Sequence, residues 1–304
     1  MDSATVPEEV WPAIEAVVGV PASIEQHAAG VGGPGVVICH GPAGRAVMKH
    51  TTAEEAVFYR HYAPLVRQHG LSVPLLLAHG VTDGGPWLLL EWLPRVLNRP
   101  DPQVLPDQLR YLSALHRTRL DAVPTADRLP QRPIGLTARD TDDALRLWSR
   151  EEAEPLRDVL LAPWAVTNGD HLLSGDPNVT NWGWRSDGAL VLFDWAEAGF
   201  GHPAYDLPIL CGGMPTAHGI REVVTTYLGR HGELLQELVD QWVAWAVTAR
   251  LTTFVRFLAA WHRGELADAG RRGAEMLRAS LREWLQTVRP LVLPFATNPL
   301  VTSE

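Results

Sequence analysis

Residues 174–195 read SGDPNVTNWGWRSDGALVLFDW. Residues 181–185 run into Ser186, Asp187 and Gly188, and residues 189–193 follow as an apolar strand. A short turn containing Asp-Gly between two runs of about five residues is a hairpin signal. Folding the ribbon back pairs Arg185 near Ala189 and sets Asn181 opposite Phe193. Asn181 and Asp194 then emerge side by side at its open end, on strands about 4.7–4.9 Å apart. An amide oxygen beside a carboxylate is hard-oxygen ligation. It suits Mg²⁺, which takes few protein ligands and completes its shell with water and phosphate oxygens.

Five residues before Asn181 stands Asp176, on a loop marked by Gly175 and Pro177. A carboxylate there lies near the metal pair without having to ligate. It is placed as the base facing a substrate hydroxyl in phosphoryl transfer. Gly175 allows a tight turn just ahead of it. Asp170 offers a competing register, but five residues on from it is Gly175, which has no ligating side chain. Asp170 is therefore read as a loop or capping residue.

Working outward, residues 10–20 read as a short amphipathic helix. Two β-rich runs, 35–39 and 45–50, flank Gly41, Pro42, Ala43 and Gly44, a strong turn signal. Thr51 or Thr52 caps the next helix, which carries Glu54 and Glu55 in its first turn and stops at Gly70. Strand-like runs at 73–79 and 87–93 come next, and Pro94 closes the second. The order strand, strand, helix, strand, strand makes a small sheet with one packed helix. Residues 94–102 read as a connector. Beyond it the pattern is mostly helical, over 105–118, 138–164 with Pro155 as a break, 220–262 and 266–288.

The series Asp176, Asn181 and Asp194 resembles the Asp-x₄-Asn loop and later Asp of protein-kinase-like enzymes. The closer resemblance is to the aminoglycoside phosphotransferase and choline kinase superfamily. Its His-Gly-Asp-x₄-Asn loop, following hairpin and apolar-Asp-Trp element are matched here by residues 174–181 and by Leu192, Phe193, Asp194 and Trp195. A later Gly-x-Pro-x-x-Asp-Leu stretch is matched by residues 201–207. The match departs at Ser174, where the family usually has His, a residue that braces the loop through the later Asp matched by Asp206.

The resemblance implies an α+β, bilobal protein-kinase-like fold, with an N-terminal nucleotide-binding lobe over 1–92 and a larger, mainly helical catalytic lobe over 93–304. It also asks for a strand Lys on the nucleotide phosphates and a helix Glu to hold it. Of the 26 basic residues, Lys49 is the one lysine, and it lies late on the right strand. The family's Glu-x-x-x-Tyr is matched by Glu55 and Tyr59, which favours Glu55 over Glu54. By analogy, backbone groups of Glu91 and Leu93 form the hinge that receives a purine. Leu115-His116 resembles a family pair with a structural role. The glycines at 30–35 lack a clear kinase spacing and receive no phosphate contact.

The implied activity is transfer of the terminal phosphate of ATP or GTP to a hydroxyl of a small molecule, with Mg²⁺. Acceptors include aminoglycosides, other antibiotics, choline and amino-alcohol metabolites. The acidic balance, 35 acidic against 26 basic residues for a net charge of −9, tilts toward a cationic antibiotic and argues against nucleic acid. Glu233, Glu237 and Asp240 are candidates to receive its amines. Two cysteines fit a reducing, cytoplasmic setting. The N-terminus shows no secretory pattern. Apolar runs such as 87–90 are too short to span a bilayer. Twelve histidines show no HExxH spacing, and the twelve tryptophans are read mainly as core. Two other readings use the same acids: a nucleotide-binding pseudokinase, suggested by Ser174, and a metal-dependent hydrolase, which leaves the lone strand Lys unexplained.

Overall fold

The computed structural model describes residues 6–27, 36–118, 127–161, 164, 167–232, 235–266 and 268–295. In chain order its regular elements are α1 (Trp11–Val18), β1 (Ser23–His27), β2 (Val36–Gly41), β3 (Gly44–His50), α2 (Ala53–Val57), α3 (Ala63–Gln68), β4 (Leu76–Thr82), β5 (Gly85–Glu91), β6 (Arg95–Val96) and α4 (Leu105–Leu115). They continue with β7 (Gln131–Arg132), α5 (Ala138–Leu145), α6 (Arg150–Leu160), β8 (His171–Leu173), β9 (Trp182–Trp184), β10 (Leu190–Leu192), β11 (Gly199–Gly201), α7 (Ala217–Gly229), α8 (Gln236–His262) and α9 (Asp268–Val288).

The chain forms two compact units. The first joins residues 1–99, 117–130 and 174–199; the second joins 100–116, 131–173 and 200–304. The hairpin read from the sequence thus belongs to the same unit as the N-terminal sheet. The lobe boundary expected at 92/93 falls inside the first segment of that unit.

In the first unit five antiparallel strands take the order β1-β2-β3-β5-β4. This is one strand more than the sequence suggested. β1 (SIEQH) has too few apolar residues to announce itself and pairs at the edge with β2. One sheet face is closed by α1 and the 3₁₀ turn before it: Val10, Ile14 and Val18 pack with Val37, Cys39, Ala46, Met48, Trp87 and Leu89. Thr52 caps α2 by accepting from the Glu55 N–H, which settles the choice between the two threonines. A π-turn at Phe58–Tyr62 separates α2 from α3. A second small sheet, β10-β9-β6, carries the hairpin read from the sequence.

The second unit is mainly helical. α8 is apolar on most of its circumference and is its central packing element, with Val243, Val247, Leu251, Val255 and Leu258 fully buried. It is also long and apolar enough by composition to cross a membrane, which corrects the reading that no such stretch exists. Two thirds of that apolar window is buried inside the fold, so packing accounts for its composition. The break expected at Pro155 lies earlier: Pro155 is inside α6, which Ser149 starts with a capping box to Glu152. The pattern over 220–262 divides into α7 and α8.

Candidate active site

The hairpin has the expected register. Trp182 faces Leu192, Gly183 faces Val191 and Trp184 faces Leu190. Arg185 N–H donates to the Ala189 carbonyl at 3.1 Å, and Phe193 N–H to the Asn181 carbonyl at 2.9 Å. Gly188 supplies the positive φ of the turn. At the open end, Asn181 finishes a 3₁₀ turn over Val179–Asn181, and Asp194 leaves the strand with φ +62°. Asp194 is the one non-glycine residue with positive φ among the described residues. Such a backbone costs on the order of 1–3 kcal/mol and persists where surrounding contacts hold it.

Those contacts come from the N-terminal sheet. Lys49 Nζ lies 2.5 Å from Asp194 Oδ1 and 3.0 Å from Glu55 Oε1. Glu55 is fully buried. Its Oε1 also accepts the Trp195 N–H at 3.1 Å, and its Oε2 takes the Thr51 hydroxyl. Burial alone would lower the Lys49 pKa, but the Glu55 and Asp194 carboxylates outweigh it and hold the ammonium above its ordinary value. The Trp195 ring stacks on Phe58 at 4.0 Å, within the π-turn. Wider turns of this kind recur near functional sites.

Asp176 and Asn181 form the neighbouring pair. Asn181 Nδ2 donates to the Asp176 carbonyl at 2.9 Å and to its Oδ2 at 3.2 Å. Donation from the nitrogen turns the amide oxygen the other way. Gly175 is required here: its φ is +79°, and a Cβ would stand 1.8 Å from the Glu197 carbonyl oxygen. The loop is thereby pressed against the backbone that follows Asp194.

Two donors, the Asn181 amide oxygen and the Asp194 carboxylate, suit a hard cation. Among the described residues no group of three or more His, Cys, Asp or Glu side chains is arranged to hold a metal. A pair of this kind would leave the other ligands of a bound ion to phosphate and water, a shell that Mg²⁺ accepts.

The other sequence candidates fall elsewhere. Glu91 ends β5, and its carboxylate is held by Arg185 at 2.7 Å. Leu93 packs at Gly183, where a Cβ would come within 3.0 Å of its Cδ1. Asp170 is exposed on the loop before β8. Asp240 is engaged by Arg221 at 2.6 Å and Gln236 at 2.9 Å, Glu237 is exposed on α8, and Glu233 lies outside the described residues, as do the glycines at 30–35.

In the second unit Asp206 is bound by His116, Nε2 to Oδ2 at 3.1 Å, and His116 Nδ1 meets the Tyr227 hydroxyl at 2.9 Å. His171 Nδ1 donates to the His116 carbonyl at 2.6 Å. His116 thus takes the acid that the family's loop histidine would engage, and Ser174 is fully buried. Sequence reasoning missed three contributors: Thr51, Phe58 and Arg185. Only Thr51 carried a signal, as the residue between Lys49 and the helix cap.

The sequence matches the phosphotransferase enzyme family over residues 23–246, and the chain belongs to that family. No curated protein matches it. Among solved structures it is similar to spectinomycin phosphotransferase APH(9)-Ia in complex with ADP and spectinomycin, at 10% identity and TM-score 0.60, with 94% of each chain covered. It is also similar to a thermostable mutant of aminoglycoside phosphotransferase APH(4)-Ia, at 15% identity and TM-score 0.57, covering 91% of this chain and 98% of that one. Choline kinase LicA from Streptococcus pneumoniae aligns at 12% identity and TM-score 0.55, over 93% and 98%. At these identities the likeness establishes the kinase-like α+β fold.

Proposed function

We propose that this phosphotransferase is a small-molecule kinase that moves the terminal phosphate of ATP or GTP to a hydroxyl of an antibiotic, aminoglycoside-like or other, with Mg²⁺. The observation that carries this reading is the contact of Lys49 with both Glu55 and Asp194, one hairpin turn from the Asp176–Asn181 pair. A second acceptor class is an amino-alcohol such as choline, since a choline kinase shares the fold.

The geometry supports a role for each residue. Lys49, held by Glu55, neutralises nucleotide phosphates. Asn181 and Asp194 would hold Mg²⁺, which supplies charge neutralisation at the transferring phosphate. Asp176 orients the acceptor hydroxyl and takes its proton as the oxygen–phosphorus bond forms and the nucleoside diphosphate departs. The Glu91 N–H is already committed to the Leu75 carbonyl at 2.9 Å. A purine would therefore meet the carbonyl of Glu91 and the backbone of Leu93. The nucleotide lobe is proposed over 1–92 and the catalytic lobe over 93–304. Catalysis of this kind rests on positioning and charge stabilisation.

The test is a nucleoside-diphosphate release assay with Mg-ATP and Mg-GTP against a panel of antibiotics and amino-alcohols. Acceptor-dependent turnover that disappears in Asp176→Ala supports the kinase. Nucleotide binding without turnover on any acceptor favours the pseudokinase. Phosphate release without a nucleotide donor points to a hydrolase.

A further inference from the structure

Glu91 and Arg185 are 94 residues apart in sequence and meet in a two-pronged ion pair. Arg185 Nε reaches Glu91 Oε1 and Nη2 reaches Oε2, each at 2.7 Å. Both side chains are only 20% exposed. The pair is knitted into the backbone on both sides: Glu91 Oε2 accepts the Leu75 N–H at 3.1 Å, and Arg185 Nη2 donates to the Val73 carbonyl at 2.8 Å. Arg67 stands nearby as a second guanidinium, its pKa lowered by burial and by the Arg185 charge. One carboxylate therefore serves a locally cationic spot, where removing it is costlier than removing a lone surface charge.

Position gives this pair its meaning. Glu91 ends β5, the strand whose carbonyl faces the base in the kinase reading. Arg185 closes the turn end of the hairpin that carries Asn181 and Asp194 at its other end. Four residues of extended chain separate Arg185 from Asn181, about 13 Å. A second tie runs beside the first: β6 pairs with β9 at Arg95 and Trp184, and the Arg95 guanidinium lies 3.8 Å from the Trp184 ring centroid.

We infer that Glu91 and Arg185 are positioning residues that fix the base-binding edge of β5 against the metal-holding hairpin, so that base and phosphates are received at one set separation. This inference rests on the kinase reading above. A bidentate fork holds direction as well as distance, which an ammonium cannot reproduce. Because the pair is anchored on the backbone of Leu75 and Val73, beside the base-binding edge, its loss falls on nucleotide affinity rather than on the transfer step.

The experiment is a double-mutant cycle of Glu91→Gln, Arg185→Met and their combination, with Arg185→Lys as the conservative variant. Calorimetric Mg-ATP binding and steady-state kinetics are read together with thermal unfolding. We expect each single variant to raise the nucleotide Kd and KM about tenfold while kcat falls less than threefold. The double variant should be no worse than the worse single, and Arg185→Lys should lie between wild type and Arg185→Met. Unchanged Kd and KM with a lowered Tm would overturn the inference, leaving the pair as a structural brace. Additive effects of the two single variants would overturn it as well. If the wild-type protein binds no nucleotide, the kinase reading fails, and this inference fails with it. Nucleotide binding by wild type with insensitive variants defeats the inference alone.

Discussion

Glu55 and Asp206 are both fully buried carboxylates facing a cationic or titratable partner, yet their surroundings differ. Glu55 faces Lys49, which passes the charge on to Asp194, a side chain 42% exposed. Asp206 faces His116, which is 1% exposed and continues to the Tyr227 hydroxyl. The first network opens outward and ends on groups that a ligand can reach. In the second, the three side chains Asp206, His116 and Tyr227 are themselves buried. A buried charge left with an open end can be used for chemistry; a buried charge sealed at every end holds structure.

The largest expected break of this contrast is Asp194→Ala. It removes one of the two proposed metal oxygens and one of the two carboxylates on Lys49, and it leaves at φ +62° a residue less suited to that backbone than aspartate. Mg-dependent turnover should fall at least a thousandfold, about 4 kcal/mol. Retained turnover would show that the metal pair is misassigned. Asp206→Ala is the converse. It strands His116 Nε2 in the interior, so unfolding free energy should drop by about 3 kcal/mol, read by urea denaturation. The kcat of protein that remains folded should change less than tenfold.

A third prediction separates the sealed region by pH. His202 is seated against Trp242 and Trp245, with ring centroids 4.6 and 4.5 Å away. Its Nδ1 accepts the Ala204 N–H. Burial, then the neighbouring His171 and His116, push its pKa down to about 4. A depressed histidine binds its proton more readily when unfolded. Its contribution is therefore whole above the ordinary value of 6.5 and is lost as pH falls toward 4. The loss amounts to at most about 3 kcal/mol. His202→Gln should flatten the fall of Tm between those pH values; an unaltered slope would move the titration elsewhere.

The smallest effect belongs to Lys49→Arg, which keeps the charge and loses the compact ammonium. A tenfold or greater fall in kcat/KM is expected, about 1.4 kcal/mol. Near-normal kinetics would mean that a point charge is not needed there.

The open region was legible in the sequence and the sealed one was not, for a physical reason. The hairpin is local: Asp187 and Gly188 fix the turn, and counting outward fixes that Asn181 meets Phe193. Lys49 stands out as the only lysine, and Thr52 and Glu55 carry a capping signal. The contacts that seal the second unit join residues far apart, such as His116 with Asp206 and Tyr227, and no spacing rule announces them. The same holds for Arg185 with Glu91. β1 escaped notice because an edge strand of polar residues has no apolar alternation. Pro155 misled because a proline signals a break, yet it sits inside α6, as the sixth of its eleven residues, and the capping box at Ser149 was the stronger signal.

The account rests on Asn181 and Asp194 sharing one divalent cation with a nucleotide. The direct measurement is calorimetric ATP binding with and without Mg²⁺ in wild type, Asn181→Ala and Asp194→Ala. Mg²⁺ should tighten ATP binding at least tenfold in wild type and have little effect in either variant. Equal Mg²⁺ enhancement in all three proteins would contradict the account.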